Sequence, residues 1–167
     1  VKMSNLFHDI ISIIDRQAEL YEEFLCLERK KTDCISGNHA RELEVIVSDQ
    51  DKVLGQIELI EAGRLSCVHR ITGKFYINKA NPSLRDIAQY ADDVSGKEMI
   101  LCAERLKKIT NELQRILETN ARMIKDNMNF YSLIVEGIKD SLDDKSAYSA
   151  GRESRVKKNS VLINRTV

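Results

Sequence analysis

Apolar side chains recur at alternating steps of three and four residues along most of this chain, a spacing that only long α-helices turn into one continuous face. From Ser4 to Ile35 the positions Leu6, Ile10, Ile13, Gln17, Leu20, Phe24, Leu27, Lys31 and Cys34 keep the pattern, and seven of the nine are apolar. Gly37-Asn38 follows, a pair suited to the left-handed conformation at a helix end. The pattern resumes at Leu43, Ile46, Gln50, Val53, Ile57, Ile60, Arg64, Cys67 and Ile71 and stops at Thr72-Gly73. So short a connection makes the two helices an antiparallel hairpin. A third long helix is expected from near Lys97 to about Asp144, with Met99, Cys102, Leu106, Ile109, Leu113, Ile116, Asn120, Met123, Asn127, Phe130 and Ile134 in register. Between the hairpin and this helix, Asn81-Pro82-Ser83-Leu84 reads as the start of a short connector helix ending near Asp93.

Each long helix carries a further apolar column: Phe7, Ile14 and Tyr21; Val47, Leu54 and Val68; Leu117, Ile124, Tyr131 and Ile138. A two-stranded coiled coil needs only the narrow seam, so at least three helices must pack together. The fold expected is all-α, an antiparallel bundle of three long helices plus a short connector helix, with coiled-coil-like packing. The bundle domain is expected over residues 1–145 and a flexible basic tail over 146–167, where Arg152, Arg155, Lys157, Lys158 and Arg165 face only Glu153. A single proline and the absence of tryptophan fit helix rather than sheet. Gln17, Gln50, Asn120 and Asn127 fall inside the seams, where polar residues set register or line a binding surface.

The 26 basic and 26 acidic side chains cancel, so no global field recruits nucleic acid. No apolar run approaches the ~20 residues that span a bilayer, and the chain start lacks the layout of a signal peptide, which points to a cytoplasmic protein without membrane insertion. Cys26, Cys34, Cys67 and Cys102 are scattered and mostly at helix-core spacing, as reduced thiols would be. No metal motif, glycine-rich phosphate loop or nucleophile elbow occurs, so no catalytic residues, metal or cofactor are expected, and the chain reads as a binding protein rather than an enzyme. One short stretch, His69-Arg70-Ile71-Thr72-Gly73, looks like the H-x-[LI]-K-G segment of histidine phosphotransfer domains, with Thr72 where that family has lysine.

Length singles out the third helix. At ~1.5 Å per residue the first two helices reach ~50 Å and the third ~70 Å. With up-down-up threading the surplus lies at its C-terminal end, which leaves Phe130, Tyr131, Leu133, Ile134, Ile138 and Leu142 without an intramolecular cover. Met123, Asn127, Phe130, Tyr131, Ile134, Ile138 and Leu142 are therefore the candidate partner-binding residues, joined by Tyr148, Leu162 and Ile163 as apolar anchors of the tail. A chain of this kind would be a monomer or weak homodimer. The alternative from another class is a structural coiled-coil adaptor that self-associates through the same stripes.

Several stretches resemble the FlgN family of flagellar type III export chaperones. Ala18-Glu19-Leu20-Tyr21-Glu22-Glu23-Phe24-Leu25 with Lys30-Lys31 is similar to that family's E-L-Y-x-x-L-L stretch and following lysines. Ile57-Glu58-Leu59-Ile60-Glu61-Ala62-Gly63-Arg64 resembles its I-x-x-L-E-x-x-R stretch, and Ser83-Leu84-Arg85-Asp86-Ile87 the segment before its third helix. Asn127-Met128-Asn129 with Leu133-Ile134 is similar to its asparagine-rich stretch, and Ala147-Tyr148-Ser149-Ala150-Gly151 and Ser160-Val161-Leu162-Ile163-Asn164-Arg165 resemble its tail. The resemblance implies a cytoplasmic escort whose clients are the hook-filament junction proteins. It would hold their C-terminal helical segments soluble and deliver them to the export gate.

Overall fold

A computed structural model describes the backbone of residues 4–79 and 81–163 and the side chains of residues 6–79 and 81–140. Four helices follow one another: α1 Ser4–Gly37, α2 Ala40–Phe75, α3 Leu84–Ala88 and α4 Asp93–Ile163. No strand occurs among the described residues, and the long helices pack against each other as a bundle. The chain divides into two compact units, Val1–Met123 and Ile124–Val167.

In the first unit the pairing order fixes the threading. Gln17 bonds Glu61 and Gln50 bonds Glu28, so α2 runs antiparallel to α1. Cys102 bonds Asp15, Arg105 bonds Glu22 and Asn120 bonds Glu28, so α4 runs parallel to α1. Facing two helices, α1 buries a broad arc. Ile11, Ala18 and Leu25 are buried beside the seam and beside Phe7 and Ile14. In α2 and α4 the second columns fare differently: Val47, Leu54 and Leu117 are exposed. The core falls into two apolar clusters. One joins Leu6, Phe7, Ile10, Ile14, Cys67, Ile71, Ile87 and Met99; the other joins Leu20, Phe24, Leu25, Val53, Ile57 and Leu113.

Helix ends depart from the expected positions for identifiable reasons. Gly37 stays helical and Asn38 takes the left-handed turn at φ 56°. α2 runs past Gly73 to Phe75, whose ring packs 5.3 Å from Phe7 and 5.7 Å from Tyr90. That packing carries the helix over the glycine, and Tyr76 closes it with φ 52° and its N–H bonded to the Thr72 carbonyl. α3 is shorter than expected, ending at Ala88, and is opened by a capping box between Ser83 and Asp86. Lys79 and Ser83 both donate to the Asp86 carboxylate and hold its pKa down at about 2. α4 starts at Asp93 rather than Lys97 because Asp92 accepts from the Val94 and Ser95 N–H groups as its cap. Glycine suits position 96: a Cβ there would stand 3.0 Å from the Ala88 carbonyl oxygen, so a larger residue would push that backbone aside by a few tenths of an ångström. The backbone of α4 continues to Ile163, beyond the end expected near Asp144. Ala147, Ala150, Arg152, Glu153, Arg155, Lys157 and Lys158 are good helix formers, and no proline interrupts them.

Candidate functional site

Two polar layers interrupt the apolar seams. In the first, Gln17 donates to Glu61 at 2.9 Å, and Arg64 grips the same carboxylate through two nitrogens at 2.8 and 2.6 Å. That guanidinium lowers the Glu61 pKa. In the second, the Glu28 side chain, 1% exposed, receives Gln50 at 2.6 Å, Asn120 at 2.6 Å and Lys31 at 3.1 Å. Thr32 donates to the Asn120 carbonyl oxygen at 2.7 Å. One carboxylate thus ties α1, α2 and α4 at one height, and any slip of register would strand it without donors. Sequence periodicity located Gln50 and Asn120 in the seams but not Glu28, which lies one heptad past Tyr21 in the second column of α1 and, being charged, looks like an ordinary surface acid.

The seam of α4 changes environment partway along. Met99, Cys102, Ile109, Leu113 and Asn120 are buried, and Leu106, Ile116 and Met123 are half-buried. From Asn127 the same spacing continues into exposed side chains, with Phe130 62% and Ile134 41% exposed. The adjacent column does the same at Tyr131, 49%, and Ile138, 54%.

The second unit therefore holds most of the sequence-expected binding residues on one stretch of helix. Asn127, Phe130, Tyr131, Ile134 and Ile138 are all exposed there, with the Phe130 and Tyr131 rings edge to face at 6.1 Å. Met123 belongs instead to the first unit and is half-buried. Leu142, Tyr148, Leu162 and Ile163 lie outside the described side chains. Leu133, which the length argument also leaves without cover, is exposed there too; Ile124, Met128 and Val135 were not singled out by length alone, yet they are exposed on the same stretch. Their apolar character between Met123 and Ile138 was the available signal.

The remaining candidates for chemistry are occupied or dispersed. Cys102 sits 3.4 Å from the Asp15 carboxylate, and burial together with that acid pushes its pKa up to about 11. Burial also raises Cys34 and Cys67. Among the described residues no three His, Cys, Asp or Glu side chains gather as a metal site. No described helix is long and apolar enough to cross a membrane. His69 is exposed and lines a cleft of about 350 Å³ with Arg64, Thr72 and Pro82. The Arg64 guanidinium is already spent on Glu61, and the Thr72 hydroxyl donates to the His69 carbonyl oxygen. Neither stands as the cation a phosphohistidine would need.

The model of the FlgN protein family matches residues 3–155. The uncharacterized protein YvyG of Bacillus subtilis (strain 168) is 23% identical over 124 residues, covering 74% of this chain and 75% of that protein. No solved structure matches the chain significantly. A family match over nearly the whole length sets the phosphotransfer alternative aside: the chain belongs to the FlgN family of flagellar export chaperones.

Proposed function

We propose that this protein works in the cytoplasm, holds the helical C-terminal segments of hook-filament junction proteins on the exposed face of α4, and hands them to the flagellar export gate. It acts by binding, without chemistry of its own. The observation that carries this reading is the α4 seam, which keeps its spacing past Met123 but loses its cover. Burying such a face against a client helix releases apolar surface from water at ~25 cal/mol per Å². Release needs only competition at the gate. Changing Ile134 and Ile138 together to Asp tests the site: client co-purification should be lost while helicity and melting stay near those of the parent, because exposed positions tolerate polar side chains. Unfolding of the double variant, or intact capture, contradicts the proposal.

The basic segment 146–167 is the second contact in this reading, folding onto the client or the gate. Removing residues after Asp144 should weaken the complex and shift the melting midpoint by only a few degrees, under ~1 kcal/mol for a domain of this size. A large fall in melting temperature, or unchanged binding of both partners, counts against it.

A further inference from the structure

Projected along the axis at ~100° per residue, the apolar side chains of residues 124–138 other than Leu133 cover about half the circumference of α4. Ile124, Tyr131, Ile138 and Ile134 lie near the middle, with Met128 and Val135 on one flank and Phe130 on the other. The borders carry opposite signs. Lys125 and Lys139 edge the arc beside Met128, and Asp126 and Asp140, with Leu133 between them, lie beyond Phe130. Both pairs are spaced by two heptads, about 21 Å along a helix. All four side chains are exposed, and none is in an ion pair with another described residue.

Resting on the reading of this face as the client site, we infer that its occupant is a pair of antiparallel amphipathic helices, with acidic side chains on the outer edge of one and basic side chains on the outer edge of the other. A single helix, a second copy of α4 included, covers only the narrow seam of a two-stranded coil and leaves part of so wide an arc wet. Upstream the same seam already shows what covers it. From Met99 to Asn120 it packs against two antiparallel helices, α1 and α2, through Leu20, Val53, Ile57 and Leu113 and through the Glu28 layer. Past Met123 the spacing is unchanged, so the same kind of cover, two antiparallel helices, suits it. The signed borders then set which client helix lies on which side: its acids meet Lys125 and Lys139, its bases meet Asp126 and Asp140. In an antiparallel pairing of two copies, by contrast, lysine border meets lysine border.

The test uses the full chain and a synthetic helical hairpin of two 18-residue amphipathic helices (a length of about five turns each), with Glu along one outer edge and Lys along the other. Binding is read by fluorescence anisotropy against each helix alone. The hairpin should bind at least about tenfold tighter than either single helix. The double variant K125E/K139E should lose about tenfold for this hairpin, since two exposed charge pairs turn from attraction to repulsion. It should regain affinity for a hairpin carrying Lys on both edges. Equal binding of hairpin and single helix overturns the two-helix occupant. Indifference to K125E/K139E overturns the signed borders, and a stable dimer of the chain that excludes the hairpin overturns both. If the single helix binds as well as the hairpin and I134D/I138D abolishes that binding, the client face survives and only this inference fails. If I134D/I138D leaves junction-protein capture intact, the client face itself is wrong.

Discussion

Single residues in this protein are governed by what surrounds them. Cys34, Cys67 and Cys102 are buried with raised pKa values, whereas Cys26 is exposed. A thiol reagent on the native protein should therefore modify one cysteine rapidly and three slowly, and all four in denaturant; fast modification of Cys102 in the folded state would contradict the packing of α4 on Asp15. Asp86 gives a pH signature. Its carboxyl is depressed to about 2, below the ordinary carboxylate value of ~3.9. A depressed acid contributes stability that is present above the unfolded pKa and lost as pH falls through the folded one. The cap of α3 should thus loosen between about pH 4 and pH 2. A carboxyl titration by NMR should put the Asp86 midpoint near 2, and a midpoint near 4 would remove the cap from the account. Tyr76 is the strained residue: it holds φ 52° with its side chain 90% exposed, so nothing is buried in return. Replacing it by Gly should add about 1 kcal/mol, raising the melting midpoint by roughly 2–4 °C.

At the scale of elements, periodicity was enough to place three long helices, the hairpin and the connector, because a seam that must face a core leaves its spacing in the sequence. It was weaker at ends. α2 overran Gly73 because Phe75 packs on Phe7 and Tyr90, contacts that come from α1 and from the connector. It also missed Glu28, since an acid off the seam betrays burial only when Gln50 and Asn120 arrive from two other helices. The same network makes a sharp prediction. Glu28→Ala leaves the buried amide of Gln50 without its carboxylate acceptor and leaves Asn120 only the Glu28 backbone carbonyl, and should cost about 3 kcal/mol or more, measured by urea unfolding. A loss under ~1 kcal/mol would mean that Glu28 contributes no more than an exposed charge.

For the whole molecule, the candidate site was legible from length: a third helix longer than its partners must leave apolar positions without them, and Phe130, Tyr131, Ile134 and Ile138 are exposed as that argument requires. What length did not reveal is that exposure along the seam sets in between Met123 and Asn127. On the proposed function, the first part of α4 completes a bundle and its second part offers the same seam to another protein. Hydrogen exchange followed by mass spectrometry, on the chain with and without the C-terminal segment of a junction protein, tests this most directly. Client binding should slow exchange across residues 124–140 by an order of magnitude or more and leave α1 and α2 unchanged. Protection confined to α1 and α2, with residues 124–140 exchanging as in the free chain, would contradict the account.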